Sequence, residues 1–347
     1  MSRRDSIIGL VLLAIAIATP FLLDARYVIT QLTLLFIWAT VVTQWNLVFG
    51  VAGIFSLAQM ALFTFGAYVT AMLTLYFGVP IWLSMFIGAI GTVVFSVLIG
   101  LACLRLRGPY VALLTFAVSQ AMLILIITDV ECFRMDGTIC LQFTGGVKGF
   151  SRYGDFGFRD LLGYKLWHIG NYFVALALLC LGAIFAFVVI RSPLGFAFRA
   201  LRDNESLAMA SGVSRFKYQL LVFALSAFFT GLAGGVYAGH FRVVGPNLLY
   251  LSLLVYLVAM MVVGGVGRAW GPLVGAALLM TADEFLREAV DYRNIGIGLV
   301  IILCVILLPD GVVGGLARLT DRLRRRRAAG PSTKEAPPNA GDKPVPD

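Results

Sequence analysis

The chain has 347 residues, of which 60% are hydrophobic and only 13% charged, with a formal net charge of +9 and a mean hydropathy of +0.93. Soluble domains carry about a quarter charged residues, so this composition excludes an ordinary globular enzyme and a disordered chain alike. It leaves an all-α polytopic membrane protein. The excess of basic residues does not suggest nucleic acid, because no basic helix carries interleaved aromatics; the charge is gathered between apolar runs.

In chain order, apolar runs near residues 7–23, 28–49, 57–77, 80–104, 110–128, 171–190, 218–238, 250–267, 271–289 and 294–309 predict about ten transmembrane helices, since about 20 residues cross the hydrocarbon core. Placing Arg3 and Arg4 in the cytoplasm brings Arg105, Arg107, the 191–217 segment, Arg268 and the tail to the same side. The 191–217 segment holds five basic and two acidic residues, and the 317–347 tail eight and four, whereas residues 129–165 balance five against five. By the positive-inside rule both termini are cytoplasmic and the 129–170 loop is outside. A cleaved signal peptide over residues 1–26 is the alternative for the first run, given its basic start and Ala16 and Ala18. The chain then divides into an N-terminal segment with the first span (1–27), a transmembrane domain (28–316), and a basic, Pro-rich, disordered cytoplasmic tail (317–347).

The second and third runs are separated by Phe49-Gly50-Val51-Ala52-Gly53-Ile54-Phe55-Ser56-Leu57-Ala58-Gln59. Two glycines interrupt the apolar pattern, and Ser56 with Gln59 has the S-x-x-Q spacing of a capping box, which predicts one helix stopping and another starting. If this broken helix lies within the bilayer it must line a cavity, because free backbone groups cannot face lipid. Helix-start N–H groups near Ser56 then face the solute. The other reading is a plain cytoplasmic turn. On the first reading Gly50, Gly53, Ser56 and Gln59 border a translocation path.

In the 129–170 loop Cys132 and Cys140 flank a turn-prone Asp136 and Gly137, a placement that suits a disulfide. Cys103, Cys180 and Cys304 fall in or beside apolar runs and read as core fillers, not metal ligands. His168 and His240 sit at predicted membrane boundaries and read as interfacial residues. Between Arg199 and Ser214, Asn204 is an N-cap, Glu205 suits a first turn and Gly212 a C-cap, predicting a cytoplasmic helix of about two turns. Its small residues Ala208 and Ala210 suit a partner's groove; a plain connector is the alternative. Gly231, Gly235 and Gly239, and likewise Gly267, Gly271 and Gly275, form GxxxG steps that permit close packing within the subunit or across a dimer. Asp283, Glu284, Arg287 and Glu288 cluster near an outer helix end, where Asp283 and Arg287 can pair.

Catalytic patterns are missing from the sequence: no Walker A loop, no HExxH, no GxSxG. Span centres lack the carboxylates expected of ion coupling.

Taken together, Gly50 to Tyr68 (GVAGIFSLAQMALFTFGAY), Leu106 to Thr115 (LRGPYVALLT), Thr144 to Gly149 (TGGVKG) and Ser192 to Ala238 resemble the inner-membrane permeases of branched-chain amino-acid ABC importers. Val263 to Ala276 (VGGVGRAWGPLVGA) and Pro309 to Gly315 (PDGVVGG) continue the resemblance in the same order, and the arginine-leaning middle segment is similar to the M-type subunit. Ala58 departs from the pattern, standing where a glycine is frequent, and Phe196 to Phe198 is bulkier and less basic than usual.

The resemblance implies a multi-pass inner-membrane permease that is not an enzyme and holds no cofactor or metal, ATP being bound by partner subunits. It implies an H-type permease partner, two cytoplasmic ABC ATPases, a periplasmic substrate-binding protein, and contact with membrane lipid and a small-molecule solute. Glu205 to Ser214 matches the coupling helix, and Arg202, Glu205, Ala208, Gly212 and Arg215 are the residues expected to couple to the ATPase. Leucine, isoleucine and valine are the expected solutes, with urea, short amides or another small polar solute as the alternative. An ion-coupled secondary transporter or an intramembrane enzyme would instead need a carboxylate, a histidine or a nucleophile deep in a span.

Overall fold

The computed structural model describes residues 3–22, 25–103, 105–106, 108–136, 139–288, 293–308, 310–316 and 318. The chain begins with α1 (Arg3–Leu22) and α2 (Arg26–Asn46), the latter prolonged by a π turn over Leu47–Val51. Residues 52–58 are non-helical, and α3 (Gln59–Phe77), α4 (Ile81–Cys103) and α5 (Pro109–Ile127) follow. Next come a hairpin of β1 (Cys132–Asp136) and β2 (Ile139–Gln142), then β3 (Phe150–Ser151), α6 (Phe158–Arg191), α7 (Pro193–Asp203) and α8 (Glu205–Ala210). The order closes with α9 (Arg215–Phe241), β4 (Val243–Val244), α10 (Leu251–Gly264), α11 (Gly271–Phe285) and α12 (Arg293–Leu307).

Among the described residues six helices are long and apolar enough to cross a membrane: Arg26–Val51, Gln59–Phe77, Ile81–Cys103, Pro109–Ile127, Leu166–Arg191 and Arg215–Phe241. The other predicted spans fall on α1, α10, α11 and α12, and shorter apolar stretches run Gly9–Leu22 in α1, Leu251–Gly264 in α10 and Ile295–Cys304 in α12. Several hydroxyls within these helices bond their own backbone one turn back, as Thr33 to Ile29, Thr40 to Phe36, Thr92 to Gly88 and Thr230 to Ser226 do, and these need no water. The protein is an all-α polytopic bundle.

At its centre α9 packs against α3 and α4, and glycines set the spacing. A Cβ at Gly66 would meet the Gly231 Cα at 2.6 Å, and one at Gly235 would meet the Met85 Cβ at 2.6 Å. Gly239 lies under the Phe156 ring, and Gly264 faces Gly271 and Gly275 across the α10–α11 hairpin. The glycine steps therefore serve packing within the subunit.

The predicted outer loop is more structured than expected. β1 and β2 pair antiparallel, and a disulfide joins Cys132 to Cys140 with their Cα atoms 5.5 Å apart. β3 pairs with β4, tying the loop to the end of α9, and the Tyr153 hydroxyl donates to the Ala238 carbonyl at 2.9 Å. α6 starts at Phe158, well before the expected 171, and continues through a kink at Gly163. His240 stands at the end of α9 and His168 lies five residues past the Gly163 kink; both, expected at the interface, are buried in the bundle.

At the N-terminal side, the Tyr172 hydroxyl donates to the Ala16 carbonyl at 2.6 Å, seating α1 on α6. The Tyr27 hydroxyl donates to Glu284 Oε2 at 2.7 Å, and Arg287 pairs with Glu284 at 3.7 Å while lying over the Tyr27 ring. The acidic cluster thus clamps the start of α2 to the end of α11. Apart from Arg318, the tail 317–347 lies outside the described residues.

Candidate functional site: an interruption after α2 and the segment that grips it

The stretch 52–58 leaves the end of α2 and climbs into the bundle. Its backbone groups find partners that a lipid-facing loop would lack. The Ile54 amide donates to the Val48 carbonyl at 3.1 Å, and the Ser56 amide to Ile54 at 2.9 Å. The Trp45 indole N–H donates to the Ser56 carbonyl at 2.8 Å, and the Leu57 amide donates to Thr115 Oγ1 at 2.9 Å. Thr115 stands six residues into α5, about 9 Å along its axis. Farther on, Gln59 Nε2 donates to Thr230 Oγ1, fifteen residues into the 27-residue α9, so α3 begins about 22 Å from the start of α9. Arg215 Nη2 bonds the Leu106 carbonyl just before α5, which places the starts of α5 and α9 at the same end.

An apolar cluster encloses this stretch. Val51, Ala52, Ile54 and Ala58 pack with Ile99, Val111, Val189, Phe198, Val222 and Phe223.

The capping box does not form. α3 starts from Ala58, which lacks a side-chain cap, and Ser56 Oγ accepts from the Ala58 amide at 3.2 Å in a local turn. The helix begins too late for Ser56 to reach its third amide, and Gln59 is drawn instead to Thr230. Ser56 and Gln59, 3% and 4% exposed, point into the subunit, whereas Gly53 is exposed and Phe55 is 45% exposed, against Phe49. Gly53 holds φ +70°, a conformation that favours glycine.

Gly50 is pressed against Gly267, where a Cβ would meet the Gly267 Cα at 2.7 Å. Asn46 fastens the same contact: its Oδ1 accepts from the Gly267 amide at 2.7 Å and its Nδ2 donates to the Arg268 carbonyl at 3.0 Å. Sequence reasoning missed Asn46, although an asparagine just before a break in an apolar run was a usable signal.

Beside this junction lie α7 and α8. α7 follows Pro193 at its first turn and buries Gly195, Phe198 and Leu201, a three-residue spacing that marks one helix face. Phe198 is fully buried in the cluster around the interruption, while Phe196 is exposed beneath the Arg199 guanidinium. Asn204 ends α7 and caps α8, its Oδ1 accepting from the Leu207 amide at 3.1 Å. At the far end Gly212, φ +87°, lets the Val213 amide return to the Ala208 carbonyl at 3.0 Å.

The residues expected to couple divide into different tasks. Arg202 Nη1 donates to the Gly50 carbonyl at 2.6 Å, and its Nε pairs with Asp203 at 3.0 Å. Glu205 pairs with Arg215 at 3.3 Å, so these two fasten α8 to α9. Ala208, expected to face a partner, is turned inward and only 5% exposed. The large outward side chains are Leu207, 65% exposed, and Met209, beside a shallow recess lined by Arg105, Val213 and Phe216, and Ser206 and Ala210 are exposed with them. A six-residue helix has one inward face, and the small alanine is the residue that fits it. Two large apolar residues next to a cap were the signal for the outward face.

A profile of the family described as "Branched-chain amino acid transport system / permease component" matches residues 27–308. The chain is 29% identical to the high-affinity branched-chain amino acid transport system permease protein LivM of Escherichia coli (strain K12), over 87% of this chain and 73% of that one. It is 28% identical to LivM of Salmonella typhimurium, over 89% and 75%. With the ribose import permease protein RbsC of Haemophilus influenzae it shares 28% identity, over 38% of this chain and 43% of that one. No solved structure matches.

Proposed function

The chain belongs to the branched-chain amino acid transport system permease component family, and from that premise we propose that it carries leucine, isoleucine and valine across the bacterial inner membrane as one permease subunit of an ABC importer. The observation that supports this is the reach of the match: residues 27–308 take in the interruption, α7, α8 and the α10–α11 hairpin. Its transport partner is a second, H-type permease; two cytoplasmic ATPases supply the energy, and a periplasmic binding protein delivers the solute. The α7–α8 end faces the cytoplasm with both termini, the disulfide hairpin faces outward, and the ten helices in the predicted spans cross the membrane.

In this reading the non-helical stretch 52–58 lies within the membrane and borders the solute path. Gly53 and Phe55 form its exposed side, while Gly50, Ser56 and Gln59 hold the backbone from behind. Irregular backbone at that depth is tolerated only where it is buried in protein or lines a cavity. An apolar ring beside a polar backbone suits solutes with a branched aliphatic side chain better than it suits urea.

The test is reconstitution of the complete importer in liposomes with ATP inside and loaded binding protein outside. Leucine uptake should depend on ATP and be displaced by isoleucine and valine. Uptake of urea or acetamide with no leucine movement would replace the solute assignment, and leucine uptake by this chain alone, driven by an ion gradient, would replace the ABC assignment.

A further inference from the structure

We propose that Arg202 is a positioning residue for transport: it ties α7 to the end of α2 and to the interruption, so that displacement of the 193–214 segment is carried into the stretch 52–58. This rests on the reading of that segment as the part of the permease that meets the ATPases.

The contacts leave α8 few ways to act on the bundle. Among the described residues α8 packs chiefly on α7, and α7 in turn packs on α6, on α9 and on the π turn that ends α2. The Glu205–Arg215 pair leads to the start of α9 and, through the Arg215 bond to the Leu106 carbonyl, to the turn before α5, and neither bond touches the stretch 52–58. Phe198 fills the apolar cluster, but burial is non-directional and lets a ring shift while keeping its neighbours. The Arg202 bond to Gly50 has a direction, and it reaches the residue from which the interruption departs.

Both sides of that bond are built for it. Carbonyls in the last turn of a helix lack an intrahelical partner and carry the negative end of its dipole, so the end of α2 presents an acceptor for a cation. Arg202 meets the Gly50 carbonyl with Nη1 and Asp203 with Nε, which fixes the plane of the guanidinium from two directions; lysine has one compact charge and offers no such fork. The stem of Arg202 lies on Gly53, where a Cβ would be 3.0 Å from the Arg202 Cβ and nearer still to its Cγ. Glycine at that position thus gives both the turn and the room. Because Asn46 also fastens α2 to Gly267 and Arg268, a pull on Gly50 reaches the turn between α10 and α11 as well.

The experiment uses the complete importer in liposomes and reads solute imported per ATP hydrolysed, together with the amount of ATPase that co-purifies. Arg202→Met should lower that ratio roughly tenfold, the loss expected when one charge-assisted hydrogen bond is removed from the moving part, while the ATPases remain bound. Arg202→Lys should recover part of it. A ratio equal to wild type, or uptake and hydrolysis falling in step, overturns the proposal, because either would mean that Arg202 only supports docking or folding. If Arg202→Met does not assemble, Gly53→Ala probes the same contact from the other side: the ratio falls, and an unchanged ratio overturns the proposal. A wild-type complex that imports no branched-chain amino acid removes the functional reading first, and the proposal with it.

Discussion

Asn46 and Phe198 show how single side chains fasten elements that lie far apart in the sequence. Asn46 satisfies an amide and a carbonyl of the turn after α10, so Asn46→Leu leaves both without that partner inside the protein. Both groups are part-buried, so a loss of about 1 kcal/mol is expected for each bond, read as a lower thermal midpoint of the purified permease. Phe198→Ala opens a cavity beside the interruption, at a cost of about 3–5 kcal/mol. Its measurable consequence is faster proteolysis within 193–214, with the spans still inserted. For the interruption itself, cysteine at 55 should react with a thiol reagent in the assembled importer, and its labelling should fall when solute is delivered; cysteine at 56 should react poorly in both states. Equal labelling at both positions would show that the stretch is a loose turn.

For the elements, α8 provides the clearest prediction. Leu207→Asp with Met209→Asp places charge on its outward face and leaves the Asn204 cap and the Gly212 return intact. The permease should insert normally, lose its ATPases on purification and show uptake at background. Full uptake by the double variant would reduce α8 to a connector. Ala208→Trp should behave differently, because the ring has no space on the inward face: α8 should lift from its seat and be cut rapidly by protease. The β1–β2 hairpin depends on its own covalent tie. Closing so short a loop contributes at most about 2–3 kcal/mol in the chain-entropy model, and mass spectrometry with and without reductant should find Cys132 and Cys140 oxidised.

For the whole molecule, the charge pattern predicts an orientation. An impermeant reagent added to intact cells should label Ser151→Cys and not Ser332→Cys; the opposite pattern would invert the topology. The bundle owes its compactness to glycine contacts at Gly66, Gly231 and Gly235, where α3, α4 and α9 meet almost backbone to backbone. Without water to drive association in lipid, such contacts supply the dispersion energy that holds helices together. Gly231→Leu should therefore yield a permease that inserts but whose α3, α4 and α9 pack poorly, seen as a lower thermal midpoint of the purified protein.

The sequence alone determined the class, the order of the helices and the cap residues at Asn204 and Gly212. Those rest on local properties: hydropathy over about 20 residues for a span, a short polar side chain for an N-cap, the freedom of glycine for a C-cap. It also suggested an interruption near Gly50 and Gly53, where the π turn over Leu47–Val51 gives way to the non-helical stretch 52–58, because interrupted hydropathy is visible along the chain. Tertiary structure decided which way the residues at that break face. Ser56 and Gln59 look like a cap in sequence, yet Thr115 and Thr230 draw the stretch inward, and those partners lie 58 and 171 residues away. Ala208 looked suited to a partner's groove, but it is buried within the subunit, and the large exposed side chains of α8 are Leu207 and Met209. The Arg202 bond to Gly50, which spans 152 residues, has no local signature either. Each of these depends on which helices become neighbours, and that is set by packing summed over the bundle, not by any pattern within one segment.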